Sequence, residues 1–126
     1  VTVPVVRIAA LSPPDPDAVH RCLEAVVDGL AAALGCAPAG VWASWTPVSA
    51  QHTGHQRRVF QGHCPTVTVL AMPGRPLPQR QAGLAAVAWA VASSLELPVE
   101  DVWVHWRELE EGLVFAGGAL RVGKSR

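Results

Sequence analysis

Val41-Trp42-Ala43-Ser44-Trp45 returns 61 residues later as Val102-Trp103-Val104-His105-Trp106, with both tryptophans in place. The chain holds five tryptophans, so two matched pairs at one spacing mark an internal repeat. The same ungapped shift carries Pro4 onto Pro65, Val6 onto Val67, Ala10 onto Ala71, Leu23 onto Leu84, Val26 onto Val87 and Leu34 onto Leu95. The sequence reads as one domain, 1–126, made of two pseudo-repeats at about 1–50 and 65–118 with a linker at about 51–64.

Each repeat has the same local grammar. Pro4 to Leu11 and Pro65 to Met72 alternate and are rich in Val, Ile and Thr, as a strand buried on at least one face would be. Proline-rich turns follow, and Asp15 before Pro16 predicts an N-cap with proline at the first helical position. Val19, Leu23, Val26, Leu30 and Leu34 recur at helical spacing opposite His20, Arg21, Glu24 and Asp28, and Gly35 stops the helix. A second helix is expected from about Gln79 to Leu95, with Leu84, Val87, Val91 and Leu95 inward and Ala82, Ala85, Trp89 and Ser93 facing another element or subunit. The tryptophan segments then form second strands, in which Trp42 and Trp103 point to one face and Trp45 and Trp106 to the other. A strand, crossover helix and strand of this length make parallel neighbours. The predicted fold is therefore α/β: two fused β-α-β units in a four-stranded mixed sheet with both helices on one face.

Composition limits the partners. Ten basic and ten acidic side chains cancel, which removes the electrostatic case for nucleic acid or an anionic membrane. The apolar run Gln81 to Leu95 is shorter than the ~20 residues a bilayer demands. Val1 to Ala10 lacks the layout of a secretory signal, and three cysteines without C-x-x-C spacing suggest reduced thiols and a cytoplasmic setting. Only 16% of residues are charged, against ~25% in typical domains, so the free sheet face is expected to be covered by other subunits.

Pro65-Thr66-Val67-Thr68-Val69 to Gly74-Arg75, Leu95-x-x-Pro98-x-x-x-Val102, Glu108 and Gly117-Gly118 together resemble the 4-oxalocrotonate tautomerase branch of the tautomerase superfamily. The whole chain resembles a fused two-unit member, similar in layout to macrophage migration inhibitory factor. This resemblance implies a homotrimer and enol-keto isomerisation or a related proton transfer on a small 2-oxo acid type of carbonyl compound, anionic or aromatic; the sequence shows no nucleotide fingerprint or phosphate loop, so no cofactor is expected. In such proteins the opening proline is amino-terminal and its secondary amine is the base or nucleophile. Here Val1-Thr2-Val3 precede Pro4, and Pro65 is internal, so both proline nitrogens are tertiary amides that carry no proton.

Three readings follow. The Val1 α-amine, with a reference pKa of ~7.7–8, replaces the proline as base; or side chains such as Arg75 and His105 carry the chemistry; or the protein is a catalytically silent oligomeric small-molecule-binding module. Hydratase or lyase chemistry on an unsaturated acid is a remoter alternative. Arg75 matches the family's turn arginine and is the candidate anchor for an anion. His105 shares the strand face of Trp103 and can exchange a proton near neutral pH. Pro4, Arg7, Trp42, Pro65, Trp103 and Arg107 complete the candidate substrate site, with Arg7 also able to pair with Glu108 or Glu110. In the linker, His52, His55 and His63 fit no standard zinc spacing, Arg57 and Arg58 suit a pocket entrance, and Cys64 has no evident activating partner.

Overall fold

The β-rich segments of the two repeats pair with each other, and that pairing builds the sheet. A computed structural model describes residues 4–13, 15–51 and 64–121. The order of elements is β1 (Pro4–Leu11), α1 (Asp17–Leu34), β2 (Trp42–Val48), β3 (Thr66–Ala71), α2 (Leu77–Leu95) and β4 (Trp103–Glu108), with one-turn 3₁₀ segments at Pro38–Gly40 and Val99–Asp101. A small hairpin, β5 (Phe115–Ala116) and β6 (Ala119–Leu120), turns through Gly117 and Gly118, whose φ values of 62° and 83° suit glycine.

The sheet order is β2-β1-β3-β4. β1 and β2 are parallel, as are β3 and β4, while β1 and β3 run antiparallel at the centre. Both crossover helices cover one face. Val6, Ile8, Val67 and Val69 from the central strands are buried there with Val26 and Leu30 of α1 and Val87 and Val91 of α2. Each such side chain contributes about 1.5–3 kcal/mol by leaving water. Ala43 and Trp45 of β2, and Val104 and Trp106 of β4, flank this core. The Nε1–H groups of Trp45 and Trp106 are enclosed without an acceptor among the described residues.

Helix ends show where local chemistry shifts the expected boundaries. α1 begins at Asp17, one residue later than Asp15-Pro16 suggested, because Pro16 already has helical angles but serves as the cap position. Asp15 still caps the first turn: its Oδ1 accepts the Asp17 N–H at 3.0 Å, and its carbonyl accepts the Ala18 N–H at 3.0 Å. α2 begins at Leu77, two residues before Gln79, since the fixed φ of Pro78 fits a first turn that needs no donor. Its outer face leaves Ala82, Ala85 and Ser93 exposed, and Trp89 is 59% exposed. Its inner face includes Gly83, where a Cβ would lie 3.1 Å from Leu30 Cδ1 and 3.1 Å from Trp106 Cζ3. The absent side chain lets α1, α2 and β4 close on one another. Among the described residues, no helix is long and apolar enough to cross a membrane.

Candidate active site on the open face of the sheet

The period of two along each strand sends alternate residues to the face that carries no helix. Register then sorts them into three rows across β2, β1, β3 and β4. One row is Trp42, Val5, Leu70 and Arg107; the middle row is Ser44, Arg7, Thr68 and His105; the third is Thr46, Ala9, Thr66 and Trp103. The shift of 61 maps Trp42 onto Trp103, so these two indoles occupy opposite corners of the face, 61% and 59% exposed. Trp103 and His105 point the same way from β4, with ring centroids 5.6 Å apart and planes tilted by 45°.

The face gathers Arg7, Trp42, Trp103, His105 and Arg107 from the sequence-derived candidates. It does not include Arg75, Pro4 or Pro65. Arg75 lies in the β3–α2 connection and donates from Nη1 to the Leu34 carbonyl at 3.4 Å, beside Gln79 Nε2 at 3.2 Å. Those two donors satisfy an end carbonyl of α1. Pro4 and Pro65 are less than 2% exposed and belong to the packed interior. Glu108 pairs with Arg80 of α2 at 3.6 Å, so the expected pairing of Arg7 with Glu108 is replaced by one on the helix side. The parity of β4 explains this, because Glu108 follows Val104 and Trp106 on the covered face.

Val1 lies outside the described residues, as do Arg57, Arg58 and the linker histidines His52, His55 and His63. Among the described residues there is no group of three or more His, Cys, Asp or Glu side chains placed to hold a metal ion. The linker's ends are held together: Gln51 Nε2 donates to the Cys64 carbonyl at 2.6 Å, and Gln51 Oε1 accepts the Cys64 N–H at 2.9 Å. Thr68, set between Arg7 and His105, is the residue that sequence reasoning passed over. Its place follows from the antiparallel register of β1 and β3, which no local pattern announces.

The charge on this face is one-sided. No strand position on this face carries an Asp or Glu: those residues sit on α1 and its lead-in, in the α2–β4 connection, and at the end of β4 or after it. Two arginines, an imidazole, three threonines and a serine remain, which is a surface of donors with indoles at its corners. Such a face can receive an anion and stack a planar group.

No protein-family model and no curated protein sequence matches the chain. Solved structures do match in fold. Fused 4-OT as a wild-type symmetric trimer superposes with a TM-score of 0.80 at 21% identity, covering 94% of this chain and 95% of that one. Native fused 4-OT gives 0.81 at 19% identity, covering 93% and 95%. Macrophage migration inhibitory factor of Toxoplasma gondii gives 0.75 at 16% identity, covering 93% and 99%. The chain therefore shares its fold with these proteins. Its form is that of fused 4-OT, two β-α-β units in one chain.

Proposed function

We propose that the protein is an oligomeric, tautomerase-like enzyme that moves a proton within a small carbonyl compound of the 2-oxo acid type. The observation that carries this reading is the open sheet face, which concentrates His105, Arg7, Arg107 and two exposed indoles on a fold shared with fused 4-OT. His105 is the proton-transfer group on the described part of that face. The arginines supply positive charge for a carboxylate and for the developing enolate oxygen, and Trp42 and Trp103 wall the site. Three copies are the proposed assembly, by likeness to the fused 4-OT trimers. Exposed Trp42, Trp103, Leu113, Phe115 and Leu120 support closure by neighbouring copies. A reducing, cytoplasmic compartment is the proposed setting for the three free thiols.

A second reading, a silent binding module, draws support from the enclosed rings of Pro4 and Pro65, whose amide nitrogens carry no proton to exchange. Turnover of phenylenolpyruvate separates the two. Ketonisation above the buffer rate that falls at least ~10²-fold in His105→Asn supports the side-chain mechanism. Rates equal to buffer in the assembled wild-type protein leave the binding module as the function.

A further inference from the structure

We infer that Arg7 and Thr68 form the seat for the substrate's carboxylate, and that this seat delivers the reacting carbon to His105. The inference rests on the proposed proton transfer for its last step, and on geometry for the seat itself. Arg7, Thr68 and His105 are consecutive in the middle row, each Cα paired with the next across β1, β3 and β4. Neighbouring strands lie ~4.8 Å apart, so the three side chains rise within about two strand spacings of one another. A guanidinium offers paired N–H donors to a carboxylate, and the Thr68 hydroxyl adds a third donor from the adjacent strand. The next strand spacing brings the 2-oxygen and C3, the two atoms between which the proton moves, toward the imidazole, with Trp103 against the remainder of the molecule.

Two further facts favour this seat over the turn arginine. Arg75 is turned toward the end of α1, where its Nη1 donates to the Leu34 carbonyl. Arg7 is exposed, and the strands around it bring no carboxylate to its side of the sheet, so its charge is left for a ligand. The duplication sharpens the point. The shift of 61 relates Arg7 to Thr68 and Ser44 to His105, so the two units have diverged at these positions into one composite row rather than two equal sites.

Binding of pyruvate to the full-length assembled protein, read by calorimetry and by the His105 ring signals in NMR, tests the seat without any need for turnover. Arg7→Gln is expected to weaken pyruvate at least ~10-fold and the isosteric Thr68→Val several-fold, while Arg75→Ala changes it less than ~2-fold. Methyl pyruvate, which has the same skeleton without the charge, is expected not to compete. The seat is overturned by wild-type affinity in both Arg7→Gln and Thr68→Val, by loss of binding in Arg75→Ala alone, by equal competition from methyl pyruvate, or by no pyruvate binding to the wild-type protein. If binding shows the expected dependence but phenylenolpyruvate is never turned over, the seat stands and the enzymatic reading falls. Turnover that ignores Arg7 and Thr68 has the opposite meaning.

Discussion

Gly35 and Glu96 hold the same post in the two repeats: each closes its helix in the left-handed region, at φ 67°, ψ 34° and φ 57°, ψ 48°. Around both, the next N–H reaches back to a carbonyl five residues earlier, Cys36 to Ala31 at 3.0 Å and Leu97 to Ala92 at 2.9 Å. Glycine takes this conformation freely, whereas a side chain is strained there. Glu96→Gly should therefore raise stability by about 0.5–1 kcal/mol and Gly35→Ala lower it by about 1 kcal/mol. Urea unfolding at one fixed protein concentration checks both; a destabilised Glu96→Gly would mean that its side chain has a compensating role.

Two helical glycines should respond in opposite directions. At Gly29 a Cβ would meet Ala86 at ordinary distances, 3.6 Å to its carbonyl oxygen and 3.8 Å to its Cβ. Gly29→Ala is expected to stabilise by about 0.5–1 kcal/mol through helix propensity. At Gly83 the same change crowds Leu30 and Trp106 at 3.1 Å, and overpacking costs of about 1–3 kcal/mol outweigh that gain. Thermal melts of the two variants, run side by side, should move to opposite sides of the wild type.

Asp15 ties α1 to its own first turn. The hydrogen bond from Arg21, the N–H of Asp17 and the Arg21 charge together hold its carboxyl below the ordinary range. Because the folded value is depressed, the stabilisation is present above the unfolded pKa of ~3.9 and is lost as pH falls through the folded value. Asp15→Asn keeps a side-chain oxygen for the cap and removes the charge. Its stability should drop relative to wild type at neutral pH and converge with it in acid, as read from urea midpoints across that window; a constant difference at every pH would assign the effect to the cap alone.

Burial pushes the Cys22 thiol up to about 11, whereas Cys36 and Cys64 are only half-buried. The thiolate is the reactive form. Native protein at pH 8 should label at Cys36 and Cys64 and leave Cys22 unmodified until denaturant is added. Mass spectrometry of the labelled peptides reads this directly, and rapid native modification of Cys22 would contradict its place between helix and sheet.

Much of the architecture was legible because it is periodic. The alternation around Trp42 and Trp45, and again around Trp103 and Trp106, predicted which indole of each pair faces the helices, and the structure agrees. What escaped reading depends on long-range register or on the absence of a side chain. Gly83 has no hydrophobicity to betray its position in the core. Thr68 meets Arg7 only once β1 and β3 pair antiparallel. Arg75 and Glu108 took partners on Leu34 and Arg80, chosen by helix packing that the chain's own order does not encode locally.

The reciprocal amide contact of Gln51 with the Cys64 backbone has a consequence for how the two repeats are tied. It fixes the end of the first repeat, just after β2, to the start of the second, just before β3. A change at Gln51 would thus loosen the mating of the two halves at the point where the chain passes from one to the other, leaving β1 and β3 alone to hold their register.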